Sequence, residues 1–265
     1  MNTRAYIRLS GDDRIALLQG ILTQDVAKLD DAGIQFAALL SPQGKLLHDM
    51  LLVAHGDSIL IDTQAAYKDV LLKRLAMYKL RAKVTITDVS DAWHLVLGTA
   101  DGLPDPRHAG LPARLYVATG GDTVGANEYD ATRVALGIPE FGVDILPDTM
   151  TAMDAGYDLL QAISFTKGCY VGQEVTARMH YKAIARKGFF MVSSLEKLVN
   201  GASLTVNGRA VGTLSSTQGT RALAFLKFDD AVGATAHVDS HVASITAPHW
   251  MEPKIALFEN AAKNQ

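Results

Sequence analysis

The stretch that organises this sequence is Lys167-Gly168-Cys169-Tyr170-Val171-Gly172-Gln173-Glu174. It contains the only cysteine of the 265-residue chain, and a glycine on each side of Cys169 frees the backbone around the thiol. The pattern of polar and apolar residues that begins at Gly172 predicts a helix, so Cys169 would lie just before a helix N-terminus. The helix-end amide groups and Lys167 would both favour the thiolate. In the alternative interpretation, Cys169 is a small buried apolar residue at a loop-to-helix junction.

The part of the chain before this stretch has mixed strand and helix signals. Residues 34–40 and 46–54 alternate like strands, and the Pro-and-Gly turn at 42–45 predicts that they form a hairpin. Residues 58–62 predict a third strand. A longer helix is predicted over 65–80, and its expected inward residues are Val70, Leu71, Leu75 and Tyr78.

Other elements follow from shorter signals. Asp12 or Asp13 is placed to cap a helix whose apolar residues run from Ile15 to Leu22. The prolines and glycines of 102–112 predict a surface loop, and 128–136 predicts a helix. Strands are also predicted at 84–87 and 94–97. Strands and helices without strict β-α-β alternation favour an α+β fold over a doubly wound parallel sheet.

After the cysteine stretch the sequence consists of short strand-like runs separated by Asn-Gly turns. This change predicts a small C-terminal β-barrel at 186–255, after a body of one or two subdomains at 1–185 and before a tail at 256–265. The predicted strands are 189–192, 203–206, 210–214, 222–225 and 241–245.

Four segments resemble one protein family. Phe165 to Arg178 closely resembles the signature of the YgfZ family, the iron–sulfur-protein maturation branch of the folate-binding proteins related to the glycine cleavage T-protein. Leu18 to Val26 resembles that family's "LQG..T.DV" segment, and Ser41 to Lys45 resembles its "PQGK" turn. Arg133 to Glu140 resembles the "R...GIPE" stretch that precedes the cysteine.

The resemblance implies a T-protein-like α+β body with a C-terminal β-barrel. It implies a protein that binds tetrahydrofolate or a derivative and assists the assembly or repair of iron–sulfur proteins, with Cys169 supplying chemistry or a partner contact. Reduced folate and iron–sulfur client or assembly proteins are then the expected partners. The sequence departs from the family at Ala183, where glycine is more frequent.

The resemblance also implies ligand contacts around the predicted helix. Glu174 matches the T-protein glutamate that accepts the paired pterin donors, and Gln173 would contact another edge of the same ring. Lys167 and Arg178 would add positive potential for an anionic ligand. Without the resemblance, a surface salt bridge to Arg178, four positions away, is the favoured explanation of Glu174.

Asp49 is the second predicted catalytic residue. It resembles, by position, the T-protein aspartate that acts on the folate nitrogen during aminomethyl transfer. A solvent-facing acid on an edge strand is the alternative. The main rival function is therefore a folate-dependent aminomethyltransferase, and the third is a non-catalytic adaptor that binds client proteins through the cysteine loop. The thiol favours maturation, because T-protein chemistry needs no cysteine there.

Composition excludes some other classes. The net charge of −3 gives no reason to expect nucleic acid as a partner, and no apolar run predicts a membrane span or membrane partner. A cytoplasmic location is expected, because one cysteine forms no internal disulfide. One thiol does not hold an iron–sulfur cluster alone, and the alternating His237, Asp239 and His241 favour an exposed strand over a metal site. Lys79, Arg81 and Lys83 would share one strand face, as a folate-tail contact or, preferably, a solvated edge.

Overall fold

The computed structural model describes residues 3–182, 185–231, 234–239 and 241–263, and Ala183 lies outside them. The body contains eight strand or helix elements up to β5 and four more before the barrel. In chain order they are β1 (Arg4–Ser10), α1 (Arg14–Ile21), α2 (Leu29–Ala32), β2 (Ile34–Leu40), β3 (Leu46–His55), β4 (Ser58–Gln64), α3 (Lys68–Lys79), β5 (Thr85–Asp88), β6 (His94–Leu97), β7 (Arg114–Val117), α4 (Ala126–Ala135) and α5 (Gln173–Lys182).

The remaining elements belong to the C-terminal part. They are β8 (Lys187–Ser194), β9 (Ser203–Val206), β10 (Arg209–Gln218), β11 (Arg221–Lys227), α6 (Phe228–Ala231), β12 (Thr235–Val238), β13 (His241–Thr246) and α7 (Glu252–Lys263). Short 3-10 helices cover Val26–Lys28, Ala65–Tyr67, Ser90–Ala92 and His249–Met251.

The centre of the body is a five-stranded antiparallel sheet in the order β2-β3-β4-β1-β5. Both of its faces are covered, which explains why every residue of β2 is buried. One face packs on α1 and α3 through a cluster that includes Leu18 and Leu75. The other packs on the segment that leads to the cysteine, through a cluster that includes Phe36 and Tyr157.

Strands β8 to β13 close into a barrel in the order β10-β11-β8-β13-β12-β9, with its own apolar core. The barrel docks closely on the body. At Gly137, after α4 of the body and with φ +73, no side chain fits, because a Cβ atom there would lie 2.4 Å from Cγ of Pro248, which follows β13. The Trp250 indole also donates a hydrogen bond to the Leu136 carbonyl oxygen at 3.1 Å. The predicted α+β fold with a C-terminal barrel is confirmed.

Several predicted elements are confirmed in detail. The hairpin is β2 and β3, the third strand is β4, and the predicted helices at 128–136 and after Gly172 are α4 and α5. Strands β1, β7 and β12 were not among the predicted elements. Residues 256–263, expected to form a tail, belong to helix α7.

Four local predictions are wrong. Val70 points outward with 48% of its surface exposed, because the buried face of α3 consists of Leu71 and Leu75. Asp13 precedes α1 without capping it, since its carboxylate accepts a hydrogen bond from the Lys83 amide at 2.7 Å. The predicted surface loop at 102–112 contains buried charges. Lys79, Arg81 and Lys83 span the end of α3 and the turn before β5, so they share no strand face.

Candidate functional site

The Cys169 loop, residues 165–172, runs directly into α5 and leaves the thiol exposed. Its last residue, Gly172, has φ +84, and a Cβ atom there would lie 2.6 Å from the Ser41 carbonyl oxygen. Facing it is Gly44, with φ +74, where a Cβ atom would lie 3.0 Å from Val175 Cβ. Glycine is needed at both positions, so the loop and the β2–β3 turn stay in close contact.

Lys167 is buried, although Cys169 two positions later is exposed. Its ammonium donates hydrogen bonds to the carbonyl oxygens of Gln19, Leu22 and Gln24, at 2.7, 2.7 and 2.9 Å. Two of these residues flank the end of α1, where a cation also meets the negative end of the helix dipole. Burial lowers the pKa of Lys167 to about 8, so the ammonium form still prevails at neutral pH. Lys167 therefore anchors the loop, and a ligand contact would require these bonds to be replaced.

Aromatic stacking fixes the other end of the loop. The Phe165 ring stacks on His180 of α5, with 3.7 Å between ring centroids and 15° between planes. The Tyr181 ring meets His180 edge-on at 4.7 Å. Together with Lys167 and Gly172, these contacts hold the loop in a defined position while Cys169 projects from it.

The other predicted ligand contacts lie on α5. Glu174 and Arg178 are exposed, and Gln173 is half-buried. Within the described residues, neither charged side chain makes a hydrogen bond or an ion pair, so the alternative of a mutual salt bridge is wrong. The Glu174 carboxylate keeps both oxygens free to accept hydrogen bonds.

Asp49 lies on β3, between β2 and β4, with 7% of its surface exposed. The Tyr157 hydroxyl donates a hydrogen bond to Asp49 Oδ2 at 2.6 Å. Burial, together with the negative charge of Glu140, raises the pKa of Asp49 to about 6. The interpretation as a solvent-facing acid on an edge strand is therefore wrong. Asp49 has the environment of a buried proton acceptor, whereas Glu174 faces solvent.

Next to Asp49 lies a closed ring of six charges that the sequence analysis missed, and all of them are buried except the half-buried Arg4. Each arginine in the ring contacts two carboxylates, and each carboxylate contacts two arginines. The contacts are Glu140–Arg4 at 3.0 Å, Arg4–Asp62 at 2.7 Å, Asp62–Arg114 at 3.1 Å, Arg114–Asp105 at 2.7 Å, Asp105–Arg107 at 2.7 Å and Arg107–Glu140 at 3.4 Å.

This ionic ring ties together segments that are far apart in the chain. Tyr129 donates to Glu140 at 2.7 Å, and Tyr116 donates to Asp62 at 2.9 Å. Although burial raises the pKa of Glu140, Arg107 and Arg4 lower it to about 2, so this carboxylate stays ionised. The only signal in the sequence was Glu140 at the end of the "GIPE" segment. No spacing rule predicts a ring assembled from β1, β4, β7 and two loops.

A cavity of about 290 Å³ lies between the body and the barrel. Arg4, Arg114 and Glu140 of the ionic ring line one side, and Ser216 of β10 lines the other. Arg133 closes the wall by donating a hydrogen bond to Ser216 Oγ at 2.8 Å. The volume is at the lower end of those found for small-molecule pockets.

In residues 3–182, 185–231, 234–239 and 241–263, no three histidine, cysteine, aspartate or glutamate side chains are grouped to hold a metal ion. His237 and His241 lie on the β12–β13 hairpin, and Asp239 in its turn has φ 54. Within the same described ranges, no helix is both long and apolar enough to cross a membrane.

Comparisons with known proteins cover both parts of the chain. Residues 186–253 match the family model described as CAF17, C-terminal beta-barrel domain. The mouse mitochondrial iron–sulfur cluster assembly factor IBA57 is 28% identical, with 94% of this chain and 84% of that protein covered. The human protein of the same name is 28% identical over 85% of this chain and 76% of its own length. The IBA57 homologue of Mycosarcoma maydis is 31% identical over 69% of this chain and 54% of its own length.

Among solved structures, the glycine cleavage system aminomethyltransferase T from Bartonella henselae matches with a TM-score of 0.72. The match covers 94% of this chain and 84% of the aminomethyltransferase chain at 16% identity, which establishes the fold alone. The expected resemblance is confirmed at this level: the chain is similar to IBA57-type assembly factors and has a T-protein-like fold with a CAF17-type barrel. The cytoplasmic location stays a prediction, since these relatives carry "mitochondrial" in their names.

Proposed function

We propose that this protein assists the assembly or repair of iron–sulfur proteins and that Cys169 makes the essential contact with the partner. The observation that carries the proposal is the way in which three motif segments meet. The end of α1 holds Lys167, the β2–β3 turn holds Gly172, and Cys169 stands exposed between these two anchors. A thiol needed only for packing would be expected inside the core.

The single thiol limits how this protein binds an iron–sulfur cluster. A stable iron–sulfur cluster usually takes four thiolates, and this chain has one. Cys169 therefore acts on a cluster only together with ligands from another protein. An iron–sulfur client or an assembly protein is the partner with suitable ligands, in line with the names of the relatives.

Reduced folate is the proposed small-molecule ligand. A pterin presents an amino group beside a ring N–H, and a carboxylate with two free oxygens accepts both. Glu174 offers such a carboxylate, and Arg178, one helical turn later, offers an unpaired cation for the anionic part of the ligand. The residues present thus suit a folate, which would supply a nitrogen for one-carbon transfer when bound.

The thiol is tested in cells that lack the native protein. Cys169→Ser and Cys169→Ala should both fail to restore the activity of an iron–sulfur enzyme, because serine keeps size and hydrogen bonding but is a much weaker nucleophile and metal ligand. Thr166→Ala, at an exposed position of the same loop, is the matched control and should restore activity. Full rescue by a normally expressed Cys169→Ala protein would refute the role of the thiol.

Folate binding is tested by calorimetric titration with reduced folates. Glu174→Ala should weaken binding by about 2 kcal/mol, as expected for a lost charged hydrogen-bonding partner. The exposed Glu196 of the barrel provides the control, Glu196→Ala, which should bind like the unmodified protein. Equal affinity in both variants would remove Glu174 from the ligand site.

Aminomethyl transfer is the second candidate function, and the environment of Asp49 favours it. A buried carboxyl with a pKa near 6 and one oxygen held by Tyr157 is suited to accept a proton at neutral pH. Turnover in a glycine-cleavage assay with the carrier protein and tetrahydrofolate, lost in Asp49→Asn, would establish this activity. If the protein is a maturation factor, Asp49→Asn should still restore the iron–sulfur enzyme. A client-binding adaptor would show neither folate binding nor turnover.

A further inference from the structure

Helix α3 has apolar side chains on two sides. Leu71 and Leu75 are fully buried against the sheet. Val70, Met77 and Leu80 point the other way, and 48%, 73% and 86% of their surfaces are exposed. Val70 and Met77 are seven residues apart and so lie on one side of the helix, and Leu80 follows in the turn that ends it. The described residues leave all three exposed.

Leu80 is held outward by a tight turn. The Ala82 amide donates a hydrogen bond to the Lys79 carbonyl oxygen at 2.7 Å, which closes a four-residue turn. Leu80 is the second residue of this turn, with φ 42 and ψ −108, a backbone conformation that normally requires glycine. The Lys83 amide is in turn bound by the Asp13 carboxylate at 2.7 Å. The large apolar side chain of Leu80 is thus exposed, although its backbone is strained and the turn is held by hydrogen bonds on both sides.

Unpaired cations lie on α3 before Leu80 and on both sides of Leu80 in the turn. In the part of the chain that the structure describes, the side chains of Lys73, Lys79, Arg81 and Lys83 make no ion pair or hydrogen bond. The nearby acids in the chain are Asp69 in the first turn of α3 and Asp12 and Asp13 before α1, and Asp13 is engaged by the turn itself. This concentration of positive charge contrasts with the net charge of −3 of the whole chain.

We propose that this surface, formed by the outer face of α3 and the turn at 79–83, binds the anionic surface of a lipid membrane. Leu80 and Met77 would enter the apolar boundary, and the four cations would lie among the anionic headgroups. No spanning segment is needed for such peripheral binding, so the proposal differs from the sequence-based expectation of no membrane partner. It goes beyond the proposed function and does not depend on it.

The shape of the surface favours a membrane over a protein partner. A leucine with 86% exposure projects from the surface, whereas hot spots of protein interfaces fill well-packed pockets. Long, flexible cations of one sign adapt to a fluid layer of anionic headgroups without fixed complementary positions. The turn and the Cys169 loop are joined to opposite ends of α1, so membrane binding leaves the thiol available to a partner.

The test is co-sedimentation of the full chain with lipid vesicles. Vesicles of phosphatidylcholine mixed with phosphatidylglycerol should bind the protein at low salt, and high salt should release it, because exposed charges are screened. Vesicles of pure phosphatidylcholine should not bind it. Failure to bind the mixed vesicles at low salt would overturn the proposal and leave the surface to an acidic protein partner.

The decisive variant is Leu80→Gly. Glycine suits the positive φ, so the turn is kept or stabilised while the apolar tip is removed. Binding to mixed vesicles should fall at least about tenfold, as expected when one leucine no longer leaves water. Binding equal to that of the unmodified protein would overturn the proposal.

Leu195→Gly is the matched control. Leu195 is 98% exposed but is followed by Glu196 and Lys197, which carry opposite charges. Its loss should leave vesicle binding unchanged, whereas Arg81→Glu should weaken binding by reversing one charge of the surface. An equal loss of binding in Leu80→Gly and Leu195→Gly would show that general stickiness, and not this surface, causes sedimentation.

Discussion

The ionic ring and the Cys169 loop differ in the burial and pairing of their polar side chains. In the ring, the three carboxylates and two of the three arginines are buried, Arg4 is half-buried, and each charge contacts two charges of opposite sign. In the loop, Cys169 is exposed and its surroundings are fixed by contacts made through other residues. The charges of the ring therefore hold the body together, whereas the contacts of the loop leave its thiol available to another molecule.

Lys167 is a loop residue that is buried and paired in the way of the ring residues. It belongs to the loop by sequence, yet it behaves like a ring residue because its ammonium is buried and fully paired with three carbonyl oxygens. An anchor of this kind allows the loop to present Cys169 without burying it. Four variants test how far structural and functional roles are separated.

The largest effect is expected from Arg114→Met, which removes one cation from the ring. Asp62 and Asp105 would each lose a partner while buried, so the free energy of unfolding should fall by about 3–5 kcal/mol. Denaturant unfolding measures this change. The matched control is Lys68→Met, whose ion pair with the exposed Asp88 should contribute less than about 1 kcal/mol. Similar losses in both variants would contradict a structural ring.

Asp49→Asn should change the pH dependence of stability. The folded protein raises the pKa of Asp49 from 3.8 to about 6, so it binds this proton more tightly than the unfolded chain does. Stability is therefore lost as pH rises from about 4 to about 6, by up to about 3 kcal/mol, and the loss persists at neutral pH. The free energy of unfolding of the unmodified protein relative to that of Asp49→Asn should fall by this amount across the range, because Glu140, whose lowered pKa makes stability rise with pH, acts in both proteins. Asp57→Asn, at an exposed turn, should retain the decline.

Lys167→Met should lower the free energy of unfolding by about 2 kcal/mol, because it leaves buried carbonyl oxygens near the end of α1 without donors. It should also reduce rescue of the iron–sulfur enzyme, since the loop loses an anchor. Lys28→Met, which removes a mostly exposed lysine near Asp25, is the control and should change neither property. An unfolding free energy equal to that of the unmodified protein would show that Lys167 is not an anchor.

The smallest effect on stability is expected from Cys169→Ala. An exposed side chain without packing contacts should contribute less than about 0.5 kcal/mol, whereas rescue of the iron–sulfur enzyme should be abolished. Thermal and denaturant unfolding, measured beside the cellular assay, separate the two outcomes. A stability loss above about 1 kcal/mol would support the packing interpretation of the cysteine.

Local patterns predicted much of this architecture. The β2–β3 hairpin, helices α4 and α5 and the strand-rich C-terminal part follow from alternation, helical spacing and turn residues, which act over a few positions. The position of Cys169 ahead of α5 follows from the pattern that begins at Gly172, whereas the structure decided between the exposed and the buried alternative. The resemblance carried by the cysteine stretch agrees with the fold and with the relatives.

What the sequence by itself determined, therefore, is many of the elements, though not β1, β7, β12 or α7, together with the place of the thiol in the chain and the chemistry that the thiol offers. Only the tertiary structure decided the rest, because burial and pairing depend on residues distant in the chain. In the structure, Arg107 of the predicted surface loop belongs to the ionic ring, Asp49 is buried against Tyr157, and Lys167 binds the end of α1. The structure also turned Val70 outward, since a helix with apolar residues on two sides does not reveal which side meets the sheet.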